Sequence, residues 1–399
     1  MTQKKKPVLR FKGFTDDWEQ RKIFELFKIT RGHVLASPLI SDTKTGDKPY
    51  PVFSSQTKNN GLMGYYKDYL YQDAITWTTD GANAGTVNYR AEKFYCTNVC
   101  GVLLADKVIP NQMIAEALNK VAKRHVSYVG NPKLMNNVMA DIEITLPDDE
   151  NEQKRISYLF DKIDNLITLH QRKYEKLRNL KKFFLEKIFP QNGKRVPEVR
   201  FAGFTGDWEQ RKLGEMLEFR NGFNGSSEIY GGDTPLISVM DILNNNFITH
   251  DKILAHVCVD NNIKERFKIS YGDVLFQRSS ENYEDAGTSN VYIDRQNNAI
   301  FGGFVIAGKK LKEYDPICFK YLLDSKYVRN QIIRKAQGAQ HINVSQDTLQ
   351  NVAIYIPNME EQNKIGAYLH NIDHLITLHQ RKLEKLQNLK KAALDKMFV

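Results

Sequence analysis

Two stretches of the chain carry seam residues at alternating steps of three and four. The first runs through Ile156, Leu159, Ile163, Leu166, His170, Lys173, Leu177, Leu180 and Phe184. The second runs through Ile365, Tyr368, Ile372, Leu375, His379, Lys382, Leu386, Leu389 and Ala393. This spacing predicts two long helices, each with a heptad seam broken by a polar notch in the middle. Ile167 and Tyr174 shoulder the first seam, and Ile376 and Leu383 the second. Each pattern starts after a proline, Pro147 or Pro357, with acidic residues where a helix N-terminus favours them. The expected bounds are 148–189 and 358–399. From Glu152 to Phe189 the first helix would measure about 57 Å at roughly 1.5 Å per residue.

Elsewhere the pattern changes to alternation with period two. Runs such as DIEITLP and NVAIYIP, with frequent Gly and Asn turns, predict mainly β structure with internal helices at Gln112–Ala122 and Pro316–Lys335. The expected fold class is therefore α/β in the broad sense, or more closely α+β: β-rich heads, each followed by a long helix.

The order of elements occurs twice. FKGFTDDWEQRKI at Phe11–Ile23 returns as FAGFTGDWEQRKL at Phe201–Leu213, with ten identities in thirteen. LITLHQRKYEKLRNLKKFFLEKIF at Leu166–Phe189 returns as LITLHQRKLEKLQNLKKAALDKMF at Leu375–Phe398, with eighteen in twenty-four. The offsets are 190 and 209, so the second middle section is longer by nineteen residues. The middles diverge, though both hold a strand led by Asp (Asp73, Asp273), a polar loop, then Ala-Gly-Thr at Ala84–Thr86 and Ala286–Thr288. A seam of this length needs a partner, and its twin in the same chain is the nearest. Antiparallel pairing lets each helix cross back between the heads and gives a pseudo-twofold arrangement. The resulting parse is a first head at 1–147, a helix at 148–189, a linker at 190–198, a second head at 199–357 and a helix at 358–399.

Charge and motif content narrow the function. Lys and Arg total 57 against 47 Asp and Glu, a net charge of +10, which favours a polyanionic partner. Cys96, Cys100, Cys258 and Cys318 lack the companions of a zinc set. Cys96 and Cys100 read as buried thiols on one face of a strand-like run from Phe94 to Leu104. The start, MTQKKKPVLRF, carries no apolar segment of a signal peptide, and no stretch approaches a membrane span. A reducing cytoplasm is the expected location. Phosphate-loop, dinucleotide and nucleophile-elbow motifs are absent from the sequence, so catalysis by this chain alone is not expected.

Polar loops on the heads suit reading of base edges, because amides, hydroxyls and guanidinium match their donors and acceptors. The first head offers Ser54, Ser55, Gln56, Lys58, Asn59 and Asn60 on one loop, and Thr78, Thr79 and Asn83 on another. The second offers Gln277, Arg278, Ser279, Ser280 and Asn282. For Arg278 three roles stay open: a guanine contact, a phosphate contact, or an internal ion pair with Glu281, Glu284 or Asp285. Trp77 is expected to pack within its head, with stacking beside DNA as the alternative.

With these features together, the sequence resembles the specificity subunit of type I restriction-modification systems along essentially its whole length. The FxGFTxDWEQRK openings, the head segments closed by proline and the LITLHQRKxEKLxNLKK helices carry the resemblance. It implies two tandem target recognition domains and an antiparallel coiled coil of conserved helices. It further implies a subunit without chemistry of its own that binds double-stranded DNA at a bipartite, asymmetric target. Two methylation subunits would use S-adenosylmethionine to methylate adenine N6, and two restriction subunits would add ATP- and Mg2+-dependent cleavage. No cofactor is expected on this chain. A self-contained modification enzyme and a non-enzymatic regulator are the rival readings.

Overall fold

A computed structural model describes residues 6–56, 58–191, 193–225, 230–296, 298–338 and 341–398. The basic start, Met1–Lys5, and the side chain of Lys58 lie outside the described residues. The chain divides into two units, Met1–Gln171 with Arg381–Val399, and Arg172–Gln380. The long helices Glu150–Lys187 and Met359–Met397 each contribute one segment to each unit.

Both heads are framed by the repeated opening. In the first, Glu19–Lys22 pairs antiparallel with Glu143–Leu146, the strand that precedes Pro147. In the second, Glu209–Lys212 pairs in the same register with Ala353–Ile356. The tryptophan before each opening strand is buried and meets a phenylalanine edge-on at 6.2 Å, Trp18 on Phe398 and Trp208 on Phe189. Both indole Nε1 atoms are buried without a partner. Their occurrence in both copies makes this a property of the frame.

Each head carries a four-stranded antiparallel sheet and a three-stranded mixed sheet. The four-stranded sheets run Phe27–Arg31, Cys100–Ala105, Ala74–Thr78, Val87–Arg90 in the first head, and Leu217–Asn221, Val305–Lys310, Val274–Gln277, Ser289–Val291 in the second. The three-stranded sheets centre on Tyr50–Phe53 and Tyr230–Ile237. The Ala-Gly-Thr signature docks on the end of an inner strand in both. Thr78 N donates to Thr86 O at 3.0 Å and Gln277 N to Thr288 O at 2.8 Å. Gly85 and Gly287 take φ of 81° and 64°. A Cβ at either would come within 2.9 Å of Val126 or 2.5 Å of Ile332, so glycine is required by both backbone and space.

The helix at Gln112–Ala122 forms as the pattern predicts, with the Asn111 side chain accepting from Ile114 N. The stretch Pro316–Lys335 instead breaks into Pro316–Leu323 and Lys326–Lys335. Asp324 and Ser325 favour helix ends over interiors, and Ser325 is extended at φ −62°, ψ 145°. Cys96 and Cys100 are buried free thiols, but not on one strand. A turn closed by Cys100 N to Thr97 O at 3.0 Å separates Tyr95–Cys96 from Cys100–Ala105. Cys318 is buried and Cys258 exposed. Among the described residues no helix is long and apolar enough to cross a membrane.

Helix segments run antiparallel within each unit. In the first, Asp164 meets Lys390 at 2.7 Å, and Phe160 meets Phe398 at 5.6 Å between rings. In the second, Lys181 meets Asp373 at 2.6 Å, and Phe184 meets Tyr368 at 4.9 Å. The repeat offset of 209 relates Lys181 to Lys390 and Asp164 to Asp373, so one ion pair is built twice. Each head is also pinned to a helix start by a forked pair, Arg10–Glu152 at 2.6 and 2.7 Å and Arg200–Glu361 at 2.7 and 2.8 Å. A backbone bond completes the set, Leu9 N to Lys396 O at 2.9 Å and Val199 N to Lys187 O at 3.0 Å.

The buried stripe departs from the expected seam. Ile156, Ile163, Ile365, Ile372 and Ala393 are buried, while Leu159, His170, Leu177, Leu180, Phe184, Tyr368, His379 and Leu386 are half-buried. Lys173 and Lys382 are exposed. Leu166, Leu375 and Leu389 stand 42%, 40% and 53% exposed, which corrects their placement in the seam. Phe160 and Leu369 are buried one residue after the expected Leu159 and Tyr368, and Leu383, expected to shoulder the seam, is buried as well. Steps of three or four from the shared positions fit a 3.5 repeat equally well. The choice falls to the residue that also covers the head, as Ile156 and Phe160 do in the core of the first.

Lys390 holds Glu116 at 2.6 Å as well as Asp164. Burial opposes its charge, yet the two carboxylates prevail and raise its pKa above the usual ammonium value. Lys390→Met should therefore cost about 2–3 kcal/mol in urea denaturation at pH 7, because it strands a buried carboxylate. A raised folded-state pKa places that stability below the unfolded value of about 10.4. The deficit should hold steady to about pH 10 and shrink as the pH rises through the raised value.

Candidate nucleic-acid interface

In the first head, the loop between Tyr50–Phe53 and Leu62–Tyr66 reverses direction through three left-handed residues. Asn59, Asn60 and Gly61 have φ of 51°, 53° and 84°, a conformation that asparagine tolerates better than other side chains with a Cβ. Ser54 N donates to Gly61 O at 2.8 Å, and Gln56 Nε2 donates to Leu62 O. Asn83 reaches over from the second loop, its Nδ2 donating to Ser55 O at 2.9 Å. Thr97 Oγ1 donates to Ser54 Oγ at 2.9 Å.

Arg90 holds this loop from beneath. Its Nη2 donates to Asn60 O at 2.6 Å and its Nε to Thr76 Oγ1 at 3.3 Å, while the guanidinium lies 3.6 Å above the Phe53 ring. Burial lowers its pKa to about 10, so it stays cationic at neutral pH. Ser54, Gln56, Asn60, Thr78 and Asn83 line one small cavity of about 150 Å³ together with Arg90. Ser55 and Asn59 lie on the same loop outside that lining. Thr79 is buried and donates to Asp80 at 2.7 Å, which commits its hydroxyl internally. Trp77 is 1% exposed, with Nε1 donating to Leu134 O at 3.0 Å, so stacking beside DNA is ruled out.

The second head places its candidates differently. Ser279–Ser280 forms a short strand against Ile342–Asn343, where the first head carries the single antiparallel bridge of Asp80 with Lys133. Gln277, Ser279, Ser280 and Asn282 line a cleft of about 710 Å³. Gln277 is 6% exposed; its Nε2 donates to Ser279 O at 2.9 Å, and its Oε1 has no partner. Asn282 is exposed and donates to Asp285 at 3.3 Å. Arg278 is half-buried, with Nη1 donating to Gly303 O at 3.3 Å. Among the described residues it makes no ion pair with Glu281, Glu284 or Asp285. Arg329 supports the loop instead, donating to Glu284 O at 2.7 Å and Ala286 O at 2.9 Å.

Sequence reasoning missed Arg90 and Arg329, since a lone arginine in a strand or helix carries no spacing signal. Both present guanidinium to backbone carbonyls of the candidate loops. Among the described residues, no group of three or more His, Cys, Asp or Glu side chains could hold a metal ion.

The family described as the type I restriction modification DNA specificity domain matches residues 15–179 and 205–388. The chain belongs to that family. It is a sequence-specific DNA-binding specificity subunit of a type I restriction-modification complex. A Mycoplasma pneumoniae protein named as the N-terminus of a type I specificity subunit is 40% identical over 137 residues, 33% of this chain and 71% of that one. The specificity subunit of the type I restriction enzyme MjaVIII of Methanocaldococcus jannaschii is 21% identical across 95% of this chain and 92% of its own. The crystal structure of the S subunit of a type I restriction-modification system from M. genitalium has the same fold. It superposes with a TM-score of 0.67 at 16% identity and covers 99% of both chains.

For this specificity subunit, the loop anchored by Arg90 gives a direct test. Arg90→Ala should cost about 1.5–3 kcal/mol, as expected for loss of charged hydrogen bonds. It should also speed hydrogen exchange at the Ser54 amide, read by mass spectrometry, while the Glu19–Lys22 strand keeps its protection.

Proposed function

We propose that the two heads read two different half-sites of one bipartite, asymmetric DNA target. The recognition domains are assigned to 1–147 and 199–357, the conserved helices to 148–189 and 358–399, and the linker to 190–198. The observation that carries this reading is the contrast between frame and loops. Ion pairs, tryptophan contacts and opening strands recur pair for pair, whereas the cavity of one head and the cleft of the other differ in size and lining. A repeated frame with unlike readers suits a target whose halves differ. Ser54, Ser55, Gln56, Lys58, Asn59, Asn60, Thr78 and Asn83 would serve one half-site, and Gln277, Arg278, Ser279, Ser280 and Asn282 the other.

The long helices also offer an exposed apolar step in each unit, Leu166 with Leu169 and Leu375 with Leu378, at 42%, 46%, 40% and 37% exposure. Identical LITL segments suit docking of two copies of one partner. We assign them to two methylation subunits that bring S-adenosylmethionine for adenine-N6 transfer. Two restriction subunits with ATP and Mg2+ complete the enzyme, in the cytoplasm. Lysines and arginines supply much of the affinity through phosphates, and the loops supply discrimination.

Methylome sequencing of cells with and without the chain tests the reading. One bipartite methylated motif should vanish on deletion, and an unchanged methylome would refute it. Exchange of 199–357 for a relative's head should alter one half of that motif and leave the other half intact.

A further inference from the structure

The cleft of the second head is chemically unlike a phosphate site. Its charged lining consists of two carboxylates, Glu281 and Asp285, with no lysine or arginine among the described residues. Apolar side chains stand in the open beside them: Phe304 at 73%, Met240 at 60% and Leu243 at 43% exposure. Phe304 is held at the tip of a tight turn, where Val305 N donates to Gly302 O at 2.9 Å. Its carbonyl accepts from Arg278 N at 2.9 Å, and the Arg278 guanidinium grips Gly303 O. A Cβ at Gly303 would strike Asn224, so the turn is fixed from both sides. The exposed ring is thus presented on rigid backbone.

The same cleft has acceptors in want of donors. Gln277 Oε1 is buried and unpartnered. The Glu281 carboxylate forms no hydrogen bond or ion pair among the described residues, and it sits between two candidate readers, Ser280 and Asn282. A carboxylate turned toward a polyanion is repelled unless a base donor meets it. In the major groove, donors come from adenine N6 and cytosine N4, while the thymine 5-methyl supplies an apolar surface. The A·T pair alone offers both a donor and a methyl group.

We propose that the second head seats the major-groove edge of an A·T pair in this cleft, with the thymine methyl against Phe304 and Met240 and the adenine amino group donating to Glu281. The proposal rests on the second head reading one half-site. It makes Phe304 and Glu281 specificity-determining residues that the polar-loop pattern did not single out.

The test uses the assembled methyltransferase complex and duplexes carrying its methylated motif. Each thymine of the second half-site is replaced in turn by uracil, which lacks only the methyl group. For the wild-type complex, one replacement should weaken binding about fourfold, equivalent to ~0.8 kcal/mol for a buried methyl-sized group. Phe304→Ala should bind the parent duplex more weakly and lose that sensitivity, while replacements in the first half-site stay without effect in either protein. Glu281→Ala should relax the preference for A·T at the same position and keep the uracil effect. Wild-type binding indifferent to every uracil in the second half-site would overturn the proposal and leave the half-site reading standing. A uracil effect that persists in Phe304→Ala would overturn it too. Absence of any motif-specific binding by the complex would instead overturn the reading beneath it.

Discussion

Everything in this molecule hangs on a lysine of one long helix held by an aspartate of the other. The pair is made once in each unit, by Lys390 with Asp164 and by Lys181 with Asp373. A heptad seam alone leaves register open, since any slip by one repeat buries similar residues. A partly buried charge forfeits its partner on such a slip, and the loss is far larger than that of one apolar contact. The ion pair thereby fixes which residues of the helices lie side by side, and the heads follow through Arg10–Glu152 and Arg200–Glu361. Tyr321 extends the control into the second head by donating to Asp373 at 2.7 Å.

The frame and the candidate loops divide the physical work. Frame contacts are buried, charged or aromatic, and tolerate little change. The candidate loops are built on left-handed asparagines, short strands and tight turns, with arginines bracing them through backbone carbonyls. Backbone acceptors do not depend on the loop's side chains, so Arg90 and Arg329 can hold loops of many sequences in place. The bracing of the loops and the chemistry of their side chains are in this way carried by different atoms.

Much of this was legible in the chain. The repeat located the frame, the period-two runs located the strands, and the Asp-led strand with Ala-Gly-Thr marked the same loop in two divergent heads. The helix phase was less legible. Leu159 and Phe160 are both apolar, and only packing against the head selects Phe160. The break at Asp324 and Ser325 was weakly signalled, because neither residue forbids a helix. Trp77 packs inside its head as expected, whereas Thr79 illustrates a further limit: its hydroxyl is spent on Asp80, which no local pattern reveals. Phe304 was overlooked because polarity was the criterion, although a ring beside two glycines in a loop is itself unusual.

The backbone bond between each head and the end of a helix has its own consequence. Val199 meets Lys187 across a dozen residues of continuous chain, whereas Leu9 meets Lys396 from nearly the full sequence away. Both bonds fall within 0.1 Å of each other, and the neighbouring tryptophan–phenylalanine contacts share one centroid distance. A tether raises the local concentration of its two ends but does not shape the surfaces that meet. The two surfaces therefore recognise each other by their own complementarity, as separate molecules would, and the peptide link between them is incidental to the fit.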